Sequence, residues 1–412
     1  MSPVSPKTLP LQGRAVALVH PSWHSCGTYR VVLGQVAAYR ALGARVCPVA
    51  VSSDPGFSPG RDWIWRGFRS ATPELDDGER YDAGAPFRAV LDPLFLKNVL
   101  WPYIHGDQAV IRTGMAERAA LAPELREIRF DLVHCNHFFL MPVAERLARG
   151  AKVLLDSHDL QARQFALMNE RMPWLRPHVS YDTMLAEELA QMRRADLLIH
   201  LNAEEDKDFR SLLPQKAHAL LYPAVPAAPT GPGGEDIVIV SSNNSANVES
   251  TIWFLREVAP QLADLPIKIA GSVDAGVKAC EPELFARYKS WFLGRVDDPG
   301  AIYAAAKLVL LPTIGGHGLS IKTVEALASG LPLVATAHAL RGMSEEALRL
   351  EGVSIAEAPQ AFAAAARRAA GQRALTPQER RESPARAFYD AHFSAQAYEE
   401  SLLALIEPLL PA

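Results

Sequence analysis

KLVLLPTIGGHGLSIKTVEALASGLPLVATAHALRG, residues 307–342, is the stretch that decides the fold of this chain. Two short apolar runs, 307–313 and 331–336, end in turn residues, which predicts a pair of buried strands. Between them Ser320 is placed to cap a helix whose apolar residues recur at helical spacing, and Gly330 ends that helix. A strand, a helix and a second strand so closely spaced predict a right-handed parallel unit.

The loop after the first of these strands is rich in glycine. It consists of Gly315, Gly316, His317 and Gly318. In parallel sheets ligands bind at the carboxyl ends of the strands, and free amides at the positive end of a helix suit a phosphate. Lys322 and Glu325 are three residues apart, so both can point toward a ligand held by the loop. The alternative is a tight turn followed by a surface ion pair.

The same stretch resembles the donor site of family 4 retaining glycosyltransferases. The resemblance rests on Gly316, His317, Gly318, Leu319, Lys322 and the runs 325–328 and 330–336. It implies the GT-B fold, an α/β architecture of two Rossmann-like parallel-sheet domains facing across a cleft. The family signature has two glutamates separated by seven residues. Glu325 matches the second glutamate, whereas His317 stands in place of the first. This chain therefore departs from the family signature in the part of the donor site that contacts the sugar.

Length and composition indicate a soluble enzyme of two or three domains. The chain has 412 residues, of which 49% are hydrophobic and 21% charged. A formal net charge of −4 gives no support for binding nucleic acid. The four cysteines, Cys26, Cys47, Cys135 and Cys280, lack metal or disulfide spacing, which favours a reducing compartment. No run reaches the roughly 20 apolar residues of a membrane span, so we expect a cytoplasmic protein.

The domain boundaries follow from composition and from alternating strand and helix patterns. We predict a Rossmann-like acceptor-side domain over 1–222, a proline- and glycine-rich linker over 223–235 and a donor domain over 236–385. A last helical segment, 386–412, would cross back to the first domain, as the resemblance implies. The predicted strands are 15–19, 45–51, 131–135, 152–156, 196–201, 236–241, 267–270, 307–311, 331–335 and 353–356.

In the first domain, Gly27 follows the first strand, and Thr28 is a candidate helix N-cap. The resemblance implies a glycine loop here that faces the donor phosphates or the acceptor; the alternative is an ordinary turn. His134 is predicted at the end of a strand, with Asn136 and His137 in the loop beyond. A metal site completed by His158 is disfavoured because no carboxylate or cysteine completes a recognisable ligand set.

The resemblance also assigns roles in this loop. The family carries a histidine pair of which one member approaches the donor sugar. His134 would be the first member, and the second falls on Asn136 or, with one extra loop residue, on His137. His158 and Asp159 match the next strand of the family, where the histidine can be structural.

The second domain departs from the family in its first loop. Asn247, Trp253 and Phe254 match a family helix, but many members carry an arginine and a lysine after this strand to grip the diphosphate. The chain has Asn243 and Asn244 instead. The resemblance leaves Lys322 and the amides of Gly318 and Leu319 to hold the diphosphate, with the Ser320 hydroxyl. Arg295 would lie near the nucleobase. Either this set suffices or catalysis has been lost.

A further segment, GRDWIWRGFR at 60–69, interleaves arginines with aromatic residues. Such a mixture suits a membrane interface or an anionic acceptor. The alternative is a loop or hairpin whose tryptophans pack inward.

Taken together, the resemblance implies a metal-independent retaining transferase that moves a sugar from a nucleotide diphosphate sugar, its donor substrate, to a hydroxyl acceptor. Glu325 would bind the ribose, His317 would contact the sugar, and no other cofactor is expected. The acceptor would be a saccharide or lipid-linked saccharide of a surface polysaccharide or glycoconjugate. The alternatives are a catalytically silent binding protein of the same fold and a nucleotide-sugar epimerase.

Overall fold

A computed structural model describes residues 9–24, 26–52, 62–76, 79–171, 179–296 and 298–411. The chain divides into two compact units. Unit 1 comprises Met1–Leu201, Glu205–Pro223 and Tyr398–Ala412, and unit 2 comprises Asn202–Glu204 and Ala224–Ala397. The chain therefore leaves unit 1, builds nearly all of unit 2 and returns to unit 1 for its last helix.

Unit 1 is built on a sheet of seven parallel strands in the order β3-β2-β1-β4-β5-β6-β7. The strands are β1 Ala15–Pro21, β2 Arg45–Ser52, β3 Tyr81–Gly84, β4 Leu132–Asn136, β5 Lys152–Asp156, β6 Leu197–His200 and β7 His218–Leu220. The helices are α1 Gly27–Ala41, α2 Asp62–Ala71, α3 Pro93–Phe95, α4 Trp101–Ile104, α5 Gln108–Glu117, α6 Met141–Ala148, α7 Gln161–Arg171, α8 Tyr181–Met192 and α9 Ala203–Leu212. The central strands are apolar runs buried on both faces, as expected of a sheet covered by helices.

Unit 2 is built on six parallel strands in the order β10-β9-β8-β11-β12-β13. The strands are β8 Asp236–Val240, β9 Ile267–Ala270, β10 Phe292–Gly294, β11 Ala306–Leu311, β12 Leu333–Ala335 and β13 Val353–Ile355. The helices are α10 Ser245–Trp253, α11 Val273–Cys280, α12 Pro282–Arg287, α13 Pro299–Ala305, α14 Ile321–Ala328, α15 Pro359–Ala370, α16 Pro377–Arg381, α17 Pro384–His392 and α18 Ala395–Ile406, the last of which runs on into unit 1.

Both strand orders confirm the predicted α/β class with two Rossmann-like parallel sheets. In each unit the first three strands are added outward in one direction, and the remaining strands, four in unit 1 and three in unit 2, are added in the other. The order reverses between β1 and β4 in unit 1 and between β8 and β11 in unit 2. Doubly wound sheets bind ligands at this switch point, beyond the carboxyl ends of the strands. The loops after these four strands are therefore where a site is expected.

Three strands were not predicted from the sequence, and all three are edge strands. They are β3, β7 and β10, which are three or four residues long and lie at the ends of the two sheets. An edge strand is paired on one side only and need not be apolar, so it lacks the continuous hydrophobic run by which the inner strands were recognised.

The aromatic and basic segment 60–69 is helical in its described part. Gly60, Arg61 and the side chains of 62–65 lie outside the residues that the structure describes, and the remainder belongs to α2 rather than to a loop or hairpin. Phe68 packs beneath Ala50 with 4% of its surface exposed, and the Arg80 guanidinium lies 4.9 Å from its ring centroid. This aromatic residue therefore belongs to the interior.

Exposed apolar side chains occur elsewhere in unit 1. Leu91, Leu94, Trp101 and Ile104 are 60%, 62%, 61% and 47% exposed, along the short helical turns that run from 87 to 104. Within the described ranges, no helix is both long enough and apolar enough to cross a membrane.

A buried arginine fixes the framework of unit 2. The Arg380 side chain has no exposed surface, and its guanidinium donates to four backbone carbonyls, those of Gly231, Tyr303, Ala304 and Ser329, at 2.9–3.3 Å. Ser329 ends α14, and Tyr303 and Ala304 lie in the last turn of α13. The positive charge thus lies at the negative ends of two helices. It also holds the glycine-rich segment 224–235 against them.

Replacing Arg380 by alanine should destabilise unit 2 strongly. Four buried carbonyls would lose a charged donor, which we expect to cost roughly 3 to 5 kcal/mol. Urea unfolding followed by far-UV circular dichroism measures the change. The neighbouring Arg381 is exposed and lies 3.4 Å from the Thr230 hydroxyl, so Arg381→Ala is a matched control expected to stay within about 0.5 kcal/mol of wild type. Equal losses in the two variants would refute the role given to Arg380.

Candidate functional site

The loops that leave β8 and β11 form the switch point of unit 2. The two strands pair in parallel, so residues 241–244 and 312–320 emerge side by side at the carboxyl edge of the sheet. The second loop is the predicted glycine loop. Gly316 and Gly318 have φ of +113° and +66°, a conformation that side-chain-bearing residues rarely adopt. Glycine is therefore required here by the backbone.

The glycine loop is held at several points. The Ile314 amide donates to the Ser250 hydroxyl at 3.1 Å, and a His338 ring nitrogen lies 3.1 Å from the Gly316 carbonyl. His317, at the position of the first family glutamate, is exposed on this loop. Its side chain is accessible from solvent, as a residue that contacts a substrate must be.

Ser320 stands at the N-cap of α14 as predicted, but its side chain does not cap the helix. The hydroxyl is buried and forms a hydrogen bond with the Thr323 hydroxyl at 2.8 Å. The Thr323 hydroxyl donates its proton to the Ala339 carbonyl at 2.7 Å and so accepts that of Ser320. Ser320 and Thr323 therefore attach the start of α14 to the turn that follows β12, and the expected contact between the Ser320 hydroxyl and a phosphate does not fit this burial.

Lys322 lies in the first turn of α14 and is held by a neutral partner. Its Nζ donates to Asn247 Oδ1 at 2.7 Å, and the Asn247 amide nitrogen donates to the Ser242 hydroxyl at 3.0 Å. Burial, together with the nearby Arg341 charge, lowers the pKa of Lys322 to about 8. At pH 7 the ammonium group remains protonated. Its partner is an amide, so its charge is left for an anion.

Glu325, one turn further along α14, is half-buried and is positioned by Tyr303. The Tyr303 ring is 1% exposed, and its hydroxyl is hydrogen-bonded to the Glu325 carboxylate. Burial and this carboxylate both raise the pKa of Tyr303. Lys322 and Glu325 thus each have a partner outside the helix, which argues against the simple surface ion pair.

The remaining predicted donor residues divide into two groups. Asn244 caps α10, since its side-chain oxygen accepts from the Asn247 backbone amide at 2.9 Å. The Asn243 backbone amide donates to the hydroxyl of Ser272, the N-cap of α11, at 3.1 Å. Both asparagines therefore shape the loop after β8. Arg295 follows the edge strand β10 and is exposed, and the strands β9 and β8 lie between β10 and β11, the strand that leads into the glycine loop.

Arg341 was not predicted from the sequence, yet it lies against the glycine loop. Its guanidinium donates to the His338 carbonyl at 3.2 Å and to the His317 carbonyl at 3.5 Å. A β-carbon added at Gly316 would come within 2.9 Å of Arg341 Nη2. The residue follows a short turn after β12, where arginine has no sequence pattern that marks it as a ligand.

In unit 1 the predicted glycine stands at the start of α1. Gly27 is the first residue of the helix, and Cys26, rather than Thr28, is its N-cap. The Thr28 hydroxyl instead lies 3.2 Å from His137 Nε2. A β-carbon at Gly27 would meet no atom within 4 Å, so the fold itself does not require glycine here.

His134 lies inside β4 rather than at its end, which corrects the sequence prediction. Its ring is fully buried, with Nδ1 3.0 Å from the Tyr39 hydroxyl and Nε2 3.4 Å from the Gln35 amide nitrogen. Burial lowers the pKa of His134 to about 3, so the ring is neutral at pH 7. A side chain without exposed surface can support a site but offers no surface to a substrate.

His137 is the residue that follows β4. It has φ of +70°, is 1% exposed and stacks on His158 at a centroid distance of 4.2 Å. Its Nδ1 is buried and has no hydrogen-bond partner. Burial, followed by the charges of His158 and Arg112, lowers the pKa of His137 well below the ordinary value. The strained backbone and the open ring nitrogen distinguish this histidine from His134.

A neutral hydrogen-bond network lies beneath His137. Gln35 donates to Asp156 at 2.9 Å and accepts from Asn136 at 2.9 Å, and Asn136 Oδ1 lies 2.7 Å from His158 Nε2. Burial raises the pKa of Asp156 to about 8 and lowers that of His158 to about 3, so both groups are predominantly uncharged at pH 7. Asn136 thus belongs to this support and lies in β4, not in the loop beyond. In the described ranges no cluster of His, Cys, Asp or Glu is arranged to hold a metal ion.

Comparisons with known proteins assign a class to this arrangement. Residues 234–372 match the family profile described as Glycosyl transferases group 1. HepE from Anabaena, solved in complex with UDP, is similar over 96% of this chain and 100% of its own, with 15% identity and a TM-score of 0.60. The pneumococcal O-GlcNAc transferase GtfA, solved with UDP and GlcNAc, is similar over 96% and 99%, with 11% identity and a TM-score of 0.60.

Sucrose-phosphate synthase from Thermosynechococcus elongatus is similar over 96% of this chain and 99% of its own, with 16% identity and a TM-score of 0.56. No curated protein sequence matches the chain. The chain therefore has the GT-B fold of glycosyltransferases, and its second unit carries a glycosyl transferases group 1 domain. The predicted resemblance is confirmed in these terms.

The buried histidines predict acid sensitivity in unit 1. A histidine has a pKa near 6.5 in an unfolded chain, whereas His158 in the fold has a pKa of about 3. Below pH 6.5 the histidine binds a proton in the unfolded state but stays unprotonated in the folded state. Each such group therefore lowers the free energy of unfolding by up to about 1.4 kcal/mol for each unit by which the pH falls. The destabilisation from His158 is absent above pH 6.5 and reaches its full size near pH 3.

The variant His158→Asn, whose side chain tolerates the φ of +58° at this position, should lose this contribution. Urea unfolding of variant and wild type at pH 7, 6 and 5 measures it as a difference in slope. The difference isolates this histidine because Asp156, with its raised pKa, contributes in the opposite direction in both proteins. The exposed His24 provides the control His24→Asn. Parallel curves for His158→Asn and wild type would contradict the neutral state assigned to the buried ring.

Proposed function

We propose that the chain is a retaining glycosyltransferase that moves a sugar from a nucleoside diphosphate sugar to a hydroxyl group of an acceptor. The observation that carries the proposal is the glycine loop at the switch point of unit 2, with Lys322 held by an amide and Glu325 positioned by Tyr303. This loop lies within the part of the chain that matches the group 1 profile. UDP is the first nucleotide to test, because the solved structure of HepE contains it.

The residues divide the work of holding the donor. Amides of Gly318 and Leu319 face the diphosphate at the start of α14, and the ammonium group of Lys322 neutralises charge that develops on the leaving group. Glu325 accepts hydrogen bonds from the ribose hydroxyls. His317, exposed on the loop, contacts the sugar in place of the family glutamate.

The reaction exchanges one bond at the anomeric carbon for another. The bond from this carbon to the β-phosphate oxygen breaks, and a bond to the acceptor oxygen forms on the same face. The acceptor proton passes to the departing phosphate, so no protein base is required. Lys322 and the backbone amides supply the positive potential, and the proposal includes no metal ion. In unit 1, His137 provides a buried neutral ring with an open nitrogen beside the loop after β4.

The setting proposed for this reaction is surface polysaccharide or glycoconjugate synthesis in the cytoplasm, at the inner face of the membrane where the acceptor is lipid-linked. The segment 60–69 would provide the membrane contact. In its described part Phe68 is buried, which leaves Arg66 and Arg69 as the exposed groups, with Arg69 paired to Asp82.

A catalytically silent binding protein is the second candidate. It is favoured by His317 in place of a glutamate and by the uncharged residues Asn243 and Asn244 after β8. The two candidates differ in turnover. A transferase should release nucleoside diphosphate slowly from its donor sugar even without an acceptor, because water can take the acceptor's place. A silent protein bound to the same donor should not.

A thermal-shift panel of UDP, GDP, ADP, CMP and their common sugar conjugates tests the donor site. A ligand that binds only the folded state should stabilise the wild type by about 2.7 kcal/mol when present at 100 times its dissociation constant. Glu325→Ala should lose this effect, and Glu325→Gln, which keeps an acceptor for the buried Tyr303 hydroxyl, separates lost binding from lost folding. The exposed Glu345 provides the control Glu345→Gln. Normal nucleotide affinity in both Glu325 variants would show the ribose assignment to be wrong.

Lys322→Ala should lower turnover by roughly 100- to 1000-fold, as does removal of one preorganised donor from a transition-state site. Measured with the donor identified in the panel, release of nucleoside diphosphate gives the rate. An unimpaired Lys322→Ala variant would exclude the phosphate role of this lysine.

Cosedimentation with vesicles of phosphatidylglycerol and phosphatidylcholine tests the membrane contact. If residues 60–69 make it, Arg66→Gln with Arg69→Gln should reduce binding, and Trp101→Ser, which alters the exposed apolar segment elsewhere in unit 1, should not. If Trp101→Ser reduces vesicle binding and the double arginine variant does not, the membrane contact lies in residues 91–104. If the wild type does not bind the vesicles, the proposed membrane contact is wrong.

A further inference from the structure

The diphosphate site proposed above is short of positive charge. The loop after β8, where many family 4 members carry an arginine and a lysine, holds Ser241, Ser242, Asn243 and Asn244. Of the described residues assigned to the donor diphosphate above, Lys322 is the one that carries a positive charge. A second cation should therefore be sought on another element that reaches the carboxyl edge of the same sheet.

Arg341 occupies such a position. It follows β12 and the short turn Ala337–Leu340, and this turn is fixed to α14 because the Thr323 hydroxyl donates to the Ala339 carbonyl at 2.7 Å. The next residue, Gly342, has φ of +76°, and a β-carbon there would lie 3.3 Å from Leu319 Cα. The backbone of Arg341 is thus packed on the segment that leads from the glycine loop into α14.

The side chain of Arg341 lies along the glycine loop. It donates to the His317 carbonyl at 3.5 Å and to the His338 carbonyl at 3.2 Å, while its Nε is buried without a hydrogen-bond partner. Both acceptors are neutral carbonyl groups, so neither hydrogen bond neutralises the positive charge of the guanidinium. Glu204 is the acidic group near enough to act on Arg341, and it raises the pKa of the guanidinium less than burial lowers it.

Arg341 and Lys322 also act on one another. The charge of Arg341 lowers the pKa of Lys322, so the two cations are close enough to repel. Lys322 donates to the side-chain amide of Asn247, and Arg341 donates to backbone carbonyls. These acceptors carry no negative charge, so they do not offset the repulsion between the two cations. An anion with several acceptor oxygens that reached both groups would relieve it, and a guanidinium is suited to such an anion because its N–H groups form a planar fork.

We propose that Arg341 binds the diphosphate of the donor together with Lys322, and so replaces the arginine and lysine that the family carries after the first strand of its donor domain. This inference rests on the proposed function, because it names a second binding residue of the same site. Arg341 would bind phosphate oxygens of the donor and of the departing diphosphate. It takes no part in proton transfer.

The test compares Arg341→Gln and Arg341→Lys with wild type by isothermal titration calorimetry. The probes are the nucleoside diphosphate found in the thermal-shift panel, the corresponding nucleoside, and inorganic pyrophosphate. Arg341→Gln should weaken diphosphate and pyrophosphate binding roughly 10- to 100-fold, the loss expected for one charge-assisted hydrogen bond. Nucleoside binding should change less than about twofold, and Arg341→Lys should recover part of the loss. The exposed Arg349, paired within its own turn to Glu345, gives the control Arg349→Gln.

A second readout follows from the mutual repulsion. In wild type, diphosphate binding should weaken as pH rises through about 8, where Lys322 loses its proton. Removing Arg341 raises the pKa of Lys322, so in Arg341→Gln the same weakening should begin at higher pH. An arginine that only braces the glycine loop would weaken nucleoside and diphosphate binding alike, and Arg341→Lys would not recover the difference between them.

The outcomes separate this inference from the proposed function. If the wild type binds a nucleoside diphosphate and Arg341→Gln binds it equally well, the inference is wrong and the donor site stands. Equal losses for nucleoside and diphosphate also overturn it. If the wild type binds no nucleotide, the proposed function fails, and pyrophosphate then decides the inference: equal affinity in wild type and Arg341→Gln, or no binding by either, refutes it.

Discussion

The guanidinium of Arg380 is the interaction on which the second unit depends. It has no exposed surface and is surrounded by carbonyls from three separate segments, among them the last turns of α13 and α14. Gly330 must be glycine partly for this reason, since its φ is +68° and a β-carbon would lie 2.0 Å from the Arg380 carbonyl oxygen. The site helix is therefore fixed at its C-terminal end by a buried charge, and its N-terminal end stays open to a ligand.

The cations of unit 2 differ in how fully their charge is used. Arg380 donates to four backbone carbonyls within the fold, so its guanidinium serves a structural role. Lys322 and Arg341 are half-buried and donate to neutral acceptors beside the glycine loop, so their positive charge can act on an anionic ligand. The network beneath His137 in unit 1 differs, because its members are neutral histidines, amides and Asp156, whose raised pKa keeps it predominantly protonated at pH 7. This network therefore avoids the cost of burying charge.

The sequence predicted whatever depends on continuous local pattern. The inner strands of both sheets, the glycine loop and α14 were found because apolar runs and turn residues mark them. The edge strands were missed because one side of each is unpaired. Ser320 and Thr28 were misjudged because a hydroxyl can bond to several neighbours, and only the packing around it selects one. Arg341 was missed because it is 19 residues after Lys322 in the chain, and a turn after another strand brings the two together.

The path of the chain through the two units has a consequence for the order of events during synthesis. Tyr398 lies in the last helix, is 2% exposed and packs in unit 1 beside Gln35, Tyr39 and Asp156. The strands and helices of unit 1 leave the ribosome first, yet the cover over their polar network is translated after the whole of unit 2. Unit 2, whose residues are nearly contiguous, can complete its core earlier. Unit 1 can therefore complete its core only after translation has reached residue 398.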